Sequence, residues 1–214
     1  VFAQQNKLDE AAGALREALQ QRPGHPAVLI NFGEVRRRQG RLEEAKTLLH
    51  EAVAAAPSSA EAHFNLGNVL KILGEDERAA AEYRRALDLE PDHVKCRFNL
   101  ANTLREQGRL PGAIAEYETA RAQSPQWYDL RLNLGNAYLE ANRTAEAIRE
   151  YEAAQEINPA SLEIADSLGD AHARAGRIDE ARAQYRKALA RHSHRWLREL
   201  RIDTMLEVIP SGKE

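Results

Sequence analysis

Apolar residues recur at steps of three and four along most of the chain, the period of amphipathic helices, and the pattern restarts every 34 residues. Pro23, Pro57, Pro91, Pro125 and Pro159 mark that period without a slip. A fixed repeat of this size predicts an array of small units stacked on one another. Other columns fall into register on it. Phe32-Gly33, Leu66-Gly67, Leu100-Ala101, Leu134-Gly135 and Leu168-Gly169 come early in each unit. Later come Ala11, Ala45, Ala79, Ala113, Ala147 and Ala181, then the larger Leu15, Leu49, Tyr83, Tyr117, Tyr151 and Tyr185. Ala18, Ala52, Ala86, Ala120, Ala154 and Ala188 complete the template.

Each unit reads as two short helices around a central breaker, taken by Asn6, Gly40, Gly74, Gly108, Asn142 and Gly176. Gly and Asn accept the left-handed conformation that ends a helix, so the first helix is expected to stop there. The second starts two or three residues on, and Pro111 suits a first turn, where a missing N–H costs nothing. It closes before the periodic Pro, because the residue ahead of a Pro is pushed out of the helical region. Gly33, Gly67, Gly135 and Gly169 fall inside the first helix, where Gly costs about 1 kcal/mol relative to Ala. That predicts a facing helix too close for a side chain, with the Ala columns as its smooth surface.

These columns resemble the tetratricopeptide repeat, whose pattern is W-x2-L-G-x2-Y, then A-x3-F, A and P. The resemblance implies an all-α, right-handed superhelical solenoid of helix-turn-helix repeats. In that frame residues 1–25 are a partial unit, the full units are 26–59, 60–93, 94–127, 128–161 and 162–195, and 196–214 form a C-terminal capping helix and exit segment. The family's Trp position holds Leu29, His63, Arg97, Arg131 and Ala165, and its first-helix Tyr position Arg36, Leu70, Leu104, Tyr138 and His172. These departures are expected to loosen the aromatic packing and leave the fold intact. After the last full unit, Trp196 to Val208 keeps a helical period, but Asp203 and Pro210 occupy the Gly and breaker columns. The stretch Leu200 to Ser211 is similar to the joint between repeats and catalytic region in bacterial relatives of O-linked N-acetylglucosamine transferase. That likeness implies an alternative role as the substrate-recognition arm of a larger glycosyltransferase. The opening Val1-Phe2-Ala3-Gln4-Gln5-Asn6 has no basic or apolar signal region and no initiator Met, and reads as the start of an excised fragment.

Composition narrows the function classes. With 30 Lys and Arg against 33 Asp and Glu the chain has no basic field for nucleic acid or anionic lipid. No apolar run approaches the roughly 18 residues of a membrane span. A single Cys96 cannot make an internal disulfide, so a cytoplasmic location is the expectation. Phosphate loops, dinucleotide fingerprints, zinc motifs and nucleophile elbows are missing from the sequence. His192-Ser193-His194 is too small a set to hold a metal. No catalytic residue, cofactor or metal is therefore expected.

The resemblance places the first helices on the inner face of the superhelix. One column there holds Asn31, Asn65, Asn99 and Asn133, with Ser167. A second, three residues on and so on the same face, holds Glu34, Asn68, Asn102, Asn136 and Asp170. An Asn amide offers one acceptor and two donor hydrogens, and so matches an extended peptide backbone. The same amides could instead bridge neighbouring helices. Beside them run Ile30, Phe64, Phe98 and Leu132, ending in Asp166. Charge on this face runs from Arg37, Arg38, Lys71, Lys95 and Arg105 to Asp129, Glu140, Glu163, Asp166 and Asp170. The family's two-carboxylate clamp needs a Lys where Ile30, Phe64, Phe98 and Leu132 stand, which disfavours chaperone-tail binding. The expected function is a protein–protein interaction scaffold holding an extended peptide or partner segment. Its candidate contacts are Asn31, Asn65, Asn99, Asn133, Asn68, Asn102, Asn136, Phe64, Phe98, Lys71 and Arg105.

Overall fold

A computed structural model describes the backbone of residues 2–190 and the side chains of residues 7–189. The expected capping helix, the His192-Ser193-His194 set and the stretch Leu200 to Ser211 lie outside the described residues. Among the described residues there are eleven helices and no strand. They are α1 (Phe2–Gln21), α2 (Pro26–Arg38), α3 (Leu42–Ala55), α4 (Ala60–Ile72), α5 (Asp76–Leu89) and α6 (Val94–Glu106). There follow α7 (Leu110–Gln123), α8 (Tyr128–Glu140), α9 (Thr144–Ile157), α10 (Leu162–Arg174) and α11 (Ile178–Ala190).

The breaker column ends the first helices as expected. Gly40, Gly74, Gly108 and Gly176 sit at φ of 72 to 76°, and Asn142 at 58°. The next N–H folds back on the helix: Arg41 N–H donates to Arg36 O and Glu75 N–H to Leu70 O, both at 2.9 Å. Carbonyls that would otherwise be orphaned are thereby satisfied. Before Pro57, Pro91 and Pro159 the chain is extended, with φ of −140° at Ala56, −130° at Glu90 and −131° at Asn158. Asn6 is a correction, because α1 runs straight through it.

The glycine column is also corrected in its partner. What closes on it is the Leu and Tyr column of the second helix, not the Ala columns. A Cβ on Gly33 would lie 2.6 Å from Leu49 Cγ, and one on Gly67 2.7 Å from the Tyr83 ring. Tyr151 and Tyr185 stand closer still to Gly135 and Gly169. Ala45, Ala79, Ala113, Ala147 and Ala181 are fully buried beside them.

Within the stack, α2 packs on α3, α4 on α5, α8 on α9 and α10 on α11, and α3·α4, α5·α6 and α9·α10 join successive pairs. The chain divides into two compact units, Val1–Glu116 and Tyr117–Glu214.

The departures at the Trp position carry polar ties in place of aromatic packing. Arg97 donates to the carbonyl of Pro91 at 2.8 Å and to Glu116 Oε2 at 2.6 Å. Arg131 does the same with Pro125 O at 2.7 Å and Glu150 Oε2 at 2.8 Å. His63 lies 3.1 Å from Pro57 O and 2.6 Å from Glu82 Oε2. Each tie links a first helix to the preceding Pro turn and to its own second helix.

Candidate functional site

In the first unit, α2, α4, α5 and α6 enclose a cleft of about 380 Å³ lined by Arg37, Asn68, Lys71, Ile72, Tyr83, Asn99, Asn102 and Glu106. Four of the expected contacts, Asn68, Lys71, Asn99 and Asn102, are thus brought together. Helical spacing is the cause: Asn68, Lys71 and Ile72 lie on one face of α4, and Asn99, Asn102 and Glu106 on one face of α6. The other candidates fall elsewhere. Asn31 is exposed on α2, Asn65 half-buried on α4, and Phe98 and Arg105 half-buried on α6, none of them lining the cleft. Phe64 packs on His93 and Tyr83, at centroid distances of 4.6 and 6.2 Å. Asn133 and Asn136 belong to the second unit. Ile30 and Leu132, which run beside the ladder, are buried at 5% and 6% exposure.

The amides carry internal bonds that bear on what they can offer. Asn68 Oδ1 accepts from the Tyr83 hydroxyl at 2.9 Å and from Asn99 Nδ2 at 2.8 Å. Both lone pairs are engaged, so the Asn68 side chain presents its NH2 group as a donor. Burial pushes the Tyr83 hydroxyl well above its ordinary pKa, which keeps it protonated and donating. The same tie recurs in the second unit, where Tyr151 donates to Asn136 Oδ1 and Tyr185 to Asp170 Oδ1, each at 2.6 Å. Asn133 Nδ2 donates to Asp129 O at 2.8 Å within its own helix. Asn68, Asn136 and Asp170 of the second column therefore anchor the tyrosines that cover Gly67, Gly135 and Gly169, and the Asn99–Asn68 bond joins two first helices.

Charges in the cleft are largely compensated. Lys71 Nζ donates to Asp76 at 2.9 Å and also to Glu106. Burial alone would lower its pKa, but the two carboxylates outweigh that and leave it raised. Arg37 is held by Glu34 through two bonds of 2.7 and 2.8 Å, and Arg38 lies 3.7 Å from the same carboxylate. The expected basic end of the face is therefore a set of ion pairs at these positions.

Sequence reasoning missed Ile72, Glu106 and Tyr83 as cleft residues. Ile72 is 52% exposed, the one exposed large hydrophobic side chain among the described residues. A signal existed: its column otherwise reads Arg38, Glu106, Glu140 and Arg174, so a lone apolar residue stands among charges. Cys96 is buried, its Sγ–H donating to Tyr83 O at 3.4 Å, and burial pushes the thiol up to about 12. It is inert at neutral pH. Among the described residues no three His, Cys, Asp or Glu side chains are grouped to hold a metal, and no helix is long and apolar enough to cross a membrane.

Models of the tetratricopeptide repeat match residues 2–70, 73–126, 98–161 and 161–194. No curated protein matches the chain. Several solved structures do. YrrB, described as a TPR protein with an unusual peptide-binding site, is 19% identical with a TM-score of 0.78, over 90% of this chain and 99% of that one. MamA from Desulfovibrio magneticus RS-1 is 22% identical with a TM-score of 0.73, over 77% of this chain and 93% of that one. PilF of Pseudomonas aeruginosa is 25% identical with a TM-score of 0.69, over 94% of this chain and 86% of that one. None of these three is described as a glycosyltransferase, and the suggested link to a transferase arm gains no support from them.

Proposed function

The chain belongs to the tetratricopeptide repeat proteins, and from that premise we propose that it is a binding scaffold that holds an extended peptide of a partner protein in the cleft of its first unit. The observation that carries this reading is Ile72, half-exposed at the rim of a cleft whose neighbouring wall is amide. An apolar peptide side chain covers Ile72, while the Asn68 NH2 and the Asn99 amide meet the main chain. Because main-chain recognition reads no sequence, selectivity comes from the Ile72 contact and from the ion pairs of Lys71 and Arg37 at the edges. A relative described as having a peptide-binding site of its own is in keeping with this use of the fold.

The test is an array of random dodecapeptides probed with the full chain, followed by titration of the selected peptide against wild type and Ile72→Gln. Covering the exposed half of an Ile side chain is worth about 0.8–1.5 kcal/mol, so the variant is expected to bind about four- to tenfold more weakly. Its exposed position leaves folding unchanged, as circular dichroism will verify. If wild type selects no peptide over scrambled controls, or the variant binds equally well, the cleft is not the site.

A further inference from the structure

A second cleft of the first unit, about 370 Å³, lies where α1, α2 and α3 meet and shares no residue with the peptide cleft. Its walls include Phe32 and Leu48, and Arg16, Arg36, Arg41 and Glu44 also line it. Arg36 is the anomaly. In the other repeats its column holds Leu70, Leu104, Tyr138 and His172, yet here a guanidinium is buried to 4% exposure. It lies 4.7 Å from the centre of the Phe32 ring, and its Nη1 donates to Gln39 Oε1 at 2.8 Å. Glu44 Oε2 stands 3.2 Å from Nε, but the buried Nε–H makes no hydrogen bond.

Counter-charge is short at this place. Arg41 also claims Glu44, donating from Nε to Oε1 at 2.6 Å, so two guanidiniums share one carboxylate while Arg16 brings a third positive charge. Asp9, hydrogen-bonded by the neutral Gln39 Nε2 at 2.6 Å, keeps its charge and is the more distant counter-ion, so three guanidiniums face two carboxylates. Burial, then the charge of Arg41, pulls the pKa of Arg36 down, and Arg16 adds to it. A buried charge with an unsatisfied donor beside like charges is a costly arrangement. An entering anion would relieve all three features at once, since guanidiniums match oxyanions through paired N–H donors. The corresponding joint of the next repeat lacks this character: Leu70 takes the buried place, and Arg78 is bonded to Glu75 and to His50.

We infer that the cleft between α1, α2 and α3 binds an oxyanion, a carboxylate or phosphate carried on an apolar stem, with Arg36 Nε–H inside, Arg16 and Arg41 at the exposed edge, and Phe32 and Leu48 against the stem. The full chain, labelled for observation of arginine Nε–H signals by NMR, is titrated with phenylacetate, phenyl phosphate and sodium chloride at matched ionic strength. The Arg36 signal is expected to shift saturably with at least one of the two aromatic anions and not with chloride. The tighter of the two names the source, an acidic group or a phosphorylated one. Arg16→Gln and Arg41→Gln, both at exposed positions, are each expected to weaken that binding at least tenfold. Arg36→Leu restores the residue type of the next two repeats, keeps the fold and abolishes the calorimetric signal of the same anion. The inference is overturned if no anion shifts Arg36 beyond the chloride response, or if the arginine variants bind as wild type does.

Discussion

Tyr151 sits fully buried over Gly135 and donates its hydroxyl to Asn136, the very next residue. One side chain thus explains two columns, a glycine kept small and an amide kept polar. Gly135→Ala would gain about 1 kcal/mol of helix propensity but drives a methyl group into a ring pinned at both ends. Overpacking of this kind costs about 1–3 kcal/mol, so the urea midpoint is expected to fall. Gly112 is the contrast, because a Cβ there meets only Leu104 Cδ1 at 3.5 Å, an ordinary contact. Gly112→Ala is expected to raise the midpoint, through a gain in stability of up to about 1 kcal/mol. If both variants move stability the same way, close approach is not what keeps the glycine column.

Among elements, the ties at the family's Trp position decide how each helix pair meets the turn before it. Arg97 binds Pro91 O and Glu116, whereas the equivalent place in the first full repeat is apolar, with Leu29 buried and Leu48 packed against the same cluster. The chain therefore contains two solutions to one packing problem. Removing half of the polar solution leaves a carboxylate and a carbonyl without their donor, at a cost of about 1–3 kcal/mol. Arg97→Leu is expected to destabilise by that amount. Arg97→Leu with Glu116→Leu is expected to recover the part of the loss that comes from the carboxylate, since replacing both members of that pair by apolar groups is nearly neutral, while the Pro91 carbonyl, at an exposed position, turns to solvent. A double-mutant cycle on denaturation midpoints reads the coupling, and additive losses would show that the two side chains do not act as a pair.

At the scale of the molecule, the helix contacts among the described residues run between near neighbours in sequence, as α4 meets α2, α3, α5 and α6. Stability in such an array is a sum of local terms, so a lesion opens its own neighbourhood first. Ala79 is fully buried on α5, and Ala79→Glu places an unpaired charge there at a cost of several kcal/mol. Amide hydrogen exchange is expected to accelerate over residues 60–93 while residues 144–189 keep their protection. Uniform acceleration from end to end would mean that the array unfolds as one body.

The sequence by itself determined the helix pairs, their boundaries and the period, because these rest on local chemistry. Gly40 or Asn142 ends a helix through its own φ, and Pro57 stops one through the residue beside it. Both effects act over a few residues and leave a mark in every unit. Asn6 differs from Asn142 in this: it does not take a positive φ, and α1 continues through it. The site was legible in part. Column spacing picks out Asn68, Asn99 and Asn102, the charge of the face adds Lys71, and all four line one cleft. What their side chains already hold could not be read from spacing. The bonds from Tyr83 and Asn99 to Asn68 join residues 15 and 31 positions apart, and only the packing of α4, α5 and α6 brings them within 3 Å. Ile72 and Arg36 each depart from their columns in the sequence, but the columns do not say how either is surrounded. One became notable because no neighbour covers it, the other because its neighbours bury it among like charges, and burial is a property of the assembled chain.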